Sequence, residues 1–165
     1  EGEELRGGER RTILHVAAHG TPDGIELTSG DLLPWGELAQ ILRYVNDLVG
    51  GRVLLGMSTC HGLHALEMVS RRADLPFGLL VGPREEVLWT DAHVAFLAFY
   101  HLVIAKDADP RAAVAVMNAA AGLPEGFFQA VDGSGLRRQL AAASRKKRLA
   151  AVRALLDPPA RAPRR

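Results

Sequence analysis

Val53-Leu54-Leu55-Gly56-Met57-Ser58-Thr59-Cys60-His61-Gly62 joins an apolar run to small polar residues, the only cysteine of the chain, and a glycine. Gly50-Gly51 precedes it. A short apolar run between breakers reads as a strand over 52–58, covered on both faces. Such a strand delivers Cys60 to its carboxyl end just before a helix, so Cys60 is the candidate nucleophile. An earlier run of the same kind, Ile13-Leu14-His15-Val16-Ala17-Ala18-His19-Gly20, ends on a histidine and a glycine. If these are neighbouring parallel strands, His19 and Cys60 meet at matching ends, although 41 residues separate them in sequence.

Working outward, residues 12–18 read as a strand, Gly20 to Gly24 as a turn, and Ile25 to Thr28 as a short strand. Pro34 opens a helix over roughly 35–46, with Leu38, Ile41, Leu42 and Val45 at helical spacing. After Gly62 a helix is expected over Leu63 to Arg72, then a strand over Phe77 to Val81. Thr90 or Asp91 would cap a helix over about 91–105. Asp109-Pro110 starts another that ends at Gly122, and Gly122 to Gly135 reads as loop. Leu136 to Leu156 reads as a basic helix with Leu149, Val152, Leu155 and Leu156 in its apolar stripe. Alternating strands and helices predict an α/β three-layer sandwich: a mainly parallel sheet with helices on both faces. Functional groups gather at the carboxyl ends of the strands in such sheets. The expected organisation is a flexible lead-in (1–11), one domain (12–132), a basic amphipathic helix (133–157) and a disordered Pro/Arg-rich tail (158–165).

The chain has 165 residues, 48% apolar and 24% charged, enough for one domain with a real core. No apolar run approaches the roughly 20 residues that span a bilayer, so no membrane association is expected. One cysteine forms no intrachain disulfide, which suits a reducing cytoplasm. The start at Glu1 suggests a processed product or a cut chain. Net charge is +1, but residues 133–165 hold ten Lys/Arg and one acid, and residues 1–132 hold ten Lys/Arg and eighteen acids. A basic tail on an acidic body points first to docking on its own domain, second to a protein partner, and only third to nucleic acid.

A free thiol is only a few per cent thiolate at neutral pH, yet it is a strong nucleophile. An imidazole at His19 can accept its proton and later protonate a leaving amine. Backbone N–H groups at Gly20 and Cys60 are candidates to hold a tetrahedral oxyanion. A lone cysteine in an apolar strand is more often a small core residue; the matching His19 is what favours chemistry. Ser58 and Thr59 either position the thiol or simply permit a tight turn. His61 and His64 lie three apart, a weak metal spacing without further ligands. His15 shares a strand face with His19 and is expected to be partly buried packing, with Phe96, Phe99 and Tyr100 in the core. His93 and His101 carry no further pattern.

Apolar strand–His19-Gly20, then apolar strand–small–Cys60-His61-Gly62, resembles the caspase-like cysteine peptidases: caspases, metacaspases, gingipains, separase and the bacterial CHAT domains. The stretches Gly24 to Leu42 and Val87 to Asp91, with Phe96, Phe99 and Tyr100 following, look most like the bacterial branch. The similarity covers about residues 12–122. It implies a caspase-like fold, a His19–Cys60 dyad and a cysteine endopeptidase acting on a protein or peptide substrate. Neither a metal nor an organic cofactor is required for that chemistry. It also implies a dedicated or regulatory protein partner, as in bacterial defence and cell death. Trp89-Thr90-Asp91 is similar to a separase-like stretch that supplies a pocket acid. Asp91 is therefore the candidate for a pocket preferring a basic residue before the cut, with Asp23 the other nearby acid. Arg145-Lys146-Lys147-Arg148 would then be a self-cleavage site. The alternative is a non-catalytic caspase-like interaction module.

Overall fold

Two apolar runs of opposite parity within one strand decide the layers. In β5 (Val53–Ser58) all six residues are buried, as a central strand covered on both faces requires. Val53, Leu55 and Met57 pack into one core with Leu38, Leu42 and Leu66, whereas Leu54 packs into a second with Phe96, Phe99 and Phe128. Side chains alternate across a strand, so these two cores lie on opposite faces of the sheet. A computed structural model describes residues 12–69, 75–142 and 154–156. The expected lead-in over 1–11, the tail over 158–165 and the Arg145 to Arg148 cluster lie outside them.

The main sheet has β1 (Thr12–Ala17) beside β5, then β6 (Leu79–Pro83) and β7 (Phe128–Asp132). β1, β5 and β6 run parallel, and β7 is antiparallel to β6. A second sheet is a small antiparallel meander of β2 (His19–Thr21), β3 (Gly24–Glu26) and β4 (Leu32–Pro34). The helices are α1 (Trp35–Leu48), α2 (Trp89–Tyr100), α3 (Pro110–Ala120) and α4 (Gly133–Ala142), with a 3-10 helix at Gly62–Val69. α1, the 3-10 helix and α4 contribute to the first core; α2 and α3 contribute to the second. The fold is mixed α/β with a mainly parallel four-stranded sheet, compatible with a three-layer sandwich.

Sequence signals account for most boundaries. Pro34 sits at the entry to α1, where its fixed φ suits the first turn. Asp109 accepts hydrogen bonds from the Arg111 and Ala112 amides, and Pro110 follows it at the start of α3. Asn46, buried on α1, accepts from the Val53 amide at 3.0 Å and donates to the Leu75 carbonyl at 2.9 Å, tying α1 to the start of β5.

Several expectations need correction. The presumed loop between Gly122 and Gly135 contains β7, whose five residues carry too little periodicity to announce a strand. Asn118 holds that strand by exchanging two hydrogen bonds with the Phe128 backbone. The expected strand Ile25 to Thr28 is instead β3, and residues expected as a turn contribute to the meander. Leu63 to Arg72 was expected as an α-helix; the described part is 3-10. α2 begins at Trp89 with no side-chain cap, so neither Thr90 nor Asp91 caps it, and it passes into a π-helical turn at His101–Ala105. The last helix begins at Gly133 rather than Leu136, with the Asp132 carboxylate accepting from the Ser134 amide. Leu155 and Leu156 pack against the first core, while Leu149 and Val152 lie outside the described residues.

Candidate functional site

Every pairing between β1 and β5 joins residues 41 apart, from Thr12 with Val53 to Ala17 with Ser58. His19 and Cys60 have that same separation, two positions past the last pair. Parallel neighbours lie about 4.8 Å apart, and the pairing stops at Ala17 and Ser58, so His19 and Cys60 both lie just beyond the paired ends. The chain bends at Ala18 and enters β2, which carries His19 at its start, exposed to solvent. Gly20 then presses on the Cys60 peptide. A Cβ placed on Gly20 would strike the Cys60 carbonyl oxygen and would lie 2.9 Å from Thr59 Cβ. Only a residue without a side chain permits this approach.

Cys60 is a free, half-buried thiol. Its S–H donates to the Val87 carbonyl at 3.7 Å, which turns it toward the segment leading into α2. His61 follows in the left-handed region with φ +56°, and its amide donates to the Glu85 carbonyl at 3.1 Å. Two bonds thus fasten the Cys60-His61 turn to residues 85–87. Neither was legible in the sequence, because backbone carbonyls carry no residue signature.

The two candidate acids lie on different elements. Asp23 lies on the β2–β3 turn, where its amide donates to Thr21 Oγ1. Its charge acts on His64 of the 3-10 helix. Asp91 lies in the first turn of α2, where its carboxylate accepts from Thr90 Oγ1 at 3.3 Å. Burial lowers the His64 pKa, and the nearby Glu67 and Asp23 carboxylates only partly oppose this. The His61 and His64 rings meet edge-on at 5.8 Å. Among the described residues no group of three or more His, Cys, Asp or Glu side chains is arranged to hold a metal. No described helix is long and apolar enough to cross a membrane.

A cavity of about 250 Å³ opens on the α2 side of the β1 and β5 carboxyl ends. His15, Ser58, Trp89, His93, Phe96 and Tyr100 line it. His15 Nδ1 and the Tyr100 hydroxyl share a hydrogen bond of 2.7 Å, and the His15 ring stands edge-on to Phe96 at 4.7 Å. Gly56, the register partner of His15, makes room: a Cβ there would lie 2.6 Å from the Tyr100 hydroxyl. Burial pushes the His15 pKa down and the Tyr100 pKa up, so both favour their neutral forms. The expectation that Tyr100 belongs wholly to the core therefore changes: it is half-buried and forms part of a cavity wall. Neither Asp23 nor Asp91 lines this cavity.

Thr59 is 1% exposed, and its hydroxyl has no hydrogen-bond partner among the described residues. A buried hydroxyl without a partner costs about 1–3 kcal/mol. Thr59→Val keeps the shape and removes the polar atom, so it is expected to stabilise the fold by about 1 kcal/mol. That is a rise of roughly 2–4 °C in Tm for a domain of this size, measurable by differential scanning calorimetry. A fall in Tm would mean that the hydroxyl does have a partner in solution.

No protein-family model matches the chain, and no curated protein matches it.

Proposed function

We propose that the protein is a caspase-like cysteine endopeptidase in which Cys60 attacks a peptide carbonyl and His19 handles the protons. The observation that supports this reading is the register: β1 and β5 run parallel and pair up to Ala17 and Ser58, and His19 and Cys60 each follow two residues later. The close packing of Gly20 on the Cys60 carbonyl supports it, since that contact keeps the start of β2 against the backbone of the cysteine turn. The resemblance of the His19-Gly20 and Cys60-His61-Gly62 motifs to caspase-like peptidases adds the reaction class.

In this reading the thiol proton passes from Cys60 to His19 as sulfur bonds to the carbonyl carbon. The oxygen becomes an oxyanion, for which the Gly20 and Cys60 amides are the candidate donors. Collapse of the adduct breaks the C–N bond, and His19 returns the proton to the leaving amine. Water, deprotonated by His19, then releases the acid from the thioester and restores the thiol. None of these steps needs a metal or an organic cofactor.

The test is stoichiometric labelling. A panel of peptidyl chloromethyl ketones, varied at the residue next to the reactive group, should place one equivalent on Cys60, read by intact mass and peptide mapping. Cys60→Ala should take none. Absence of labelling by every peptide in the panel, with iodoacetamide still alkylating Cys60, would sink the peptidase reading and leave a caspase-like interaction module.

A further inference from the structure

The cavity beside β1 and β5 has a composition that neither the motif reading nor the expected pocket acid explains. Ser58, the last residue of β5, lines it two residues before Cys60, and Trp89 lines it two residues after Val87, whose carbonyl accepts from the Cys60 thiol. Two residues of chain span at most about 7 Å, so the Ser58 end of the cavity lies no farther than that from Cys60. Its wall is largely aromatic: Trp89, Phe96 and Tyr100 share one face of α2 with Ala92, and His15 closes it from β1. No Asp, Glu, Lys or Arg lines it.

We infer that this cavity receives a neutral aromatic side chain of the substrate, the one adjoining the carbonyl that Cys60 attacks. The inference rests on the peptidase reading for its position and on the lining alone for its selectivity. A cavity of about 150 Å³ with apolar walls is enough to hold benzene. The volume of about 250 Å³ found here suits one phenyl or phenol ring. Aromatic walls favour such a ring by offset or edge-on contacts. The space is open to solvent on the Trp89 and Leu97 side, and a guanidinium or ammonium entering it would find no carboxylate, while a carboxylate would find no Lys or Arg. His15 Nδ1 and the Tyr100 hydroxyl satisfy one another through their 2.7 Å hydrogen bond. The preference expected from Asp91 or Asp23, for a basic side chain, is thereby replaced by one for phenylalanine or tyrosine.

Side-chain analogues test the cavity without any need for catalysis. p-Cresol and n-propylguanidine stand for tyrosine and arginine, and the full chain is titrated with each. Binding is read from the imidazole resonances of His15 and His93. Saturable shifts with p-cresol at a concentration at least ~10-fold below that needed for n-propylguanidine are expected, from the burial of one ring. Ala17→Phe fills the cavity from exposed β1 and should abolish the p-cresol shifts while leaving Tm within a few degrees; Leu97→Phe on the exposed side of α2 is the second filling variant. Equal or tighter binding of n-propylguanidine, or no p-cresol binding, overturns the inference. In the chloromethyl ketone panel, a phenylalanine probe should label Cys60 at least ~10-fold faster than an arginine probe. Faster labelling by the arginine probe overturns the selectivity and leaves the peptidase reading standing. Saturable p-cresol binding with no labelling by any probe overturns the peptidase reading and the link to Cys60, and leaves only an aromatic-binding cavity.

Discussion

Gly20→Ala is expected to cost about 3 kcal/mol of stability, a fall of roughly 6–12 °C in Tm. The new Cβ would meet the Cys60 carbonyl oxygen, with the Cys60 carbonyl carbon at 3.0 Å and Thr59 Cβ at 2.9 Å. Two of these three atoms are backbone. They belong to the turn held by the His61 amide on the Glu85 carbonyl, so they cannot rotate aside as the tip of a flexible side chain would. The remaining outlet is for β2 to lift away. It is anchored there by pairing with β3, and the neighbouring turn is held by the Trp35 indole N–H donating to the Pro22 carbonyl at 2.8 Å. Lifting β2 takes His19 with it. Peptidyl labelling of Cys60 should therefore fall, while alkylation by small iodoacetamide rises as the thiol is uncovered. Gly36→Ala is the control, because a Cβ there meets nothing within 4 Å and an alanine suits the helix. Its Tm should hold or rise. Equal Tm values for Gly20→Ala and the wild type would show that the close approach does not persist in solution.

What the sequence made legible follows from the size of each signal. β1 and β5 are apolar runs with breakers on both sides, and a parallel pairing needs only those two runs and the helix between them. The parallel pairing of β1 with β5 was therefore readable in the sequence. β7 was not, because five residues between glycines show no decisive period and its place depends on Asn118, ten positions away. The cavity was hidden for another reason. Trp89, Phe96 and Tyr100 recur at helical spacing, and such a stripe normally means core. Gly56 held the missing clue, since a glycine inside a buried strand marks a close approach. What approaches it, the Tyr100 hydroxyl, becomes apparent only when α2 is laid over β5. Asp91, suggested by its similarity to a motif, lies in the first turn of α2 and does not line this cavity.

His19→Ala is expected to slow peptidyl labelling and peptide hydrolysis by about 10²–10⁴-fold, the usual contribution of a positioned general acid–base group. His19 is exposed at the start of a three-residue strand, so the substitution should move Tm little, and a lost rate will not be mistaken for lost fold. The rival proton acceptor is His61, next to the thiol in sequence. Its amide is committed to the Glu85 carbonyl, and its ring rests edge-on against His64, whose pKa burial depresses. His61→Asn, which tolerates the left-handed backbone found there, should keep most of the rate. The pH profile separates a proton-transfer role from mere positioning. With His19 present, the rate should already be high near neutral pH, because the imidazole takes the proton as sulfur attacks. Without it, the residual rate should climb with pH in proportion to the thiolate fraction alone. A His19→Ala protein with the wild-type profile and rate, beside a His61→Asn protein that has lost both, would move the base from the start of β2 to the cysteine turn itself.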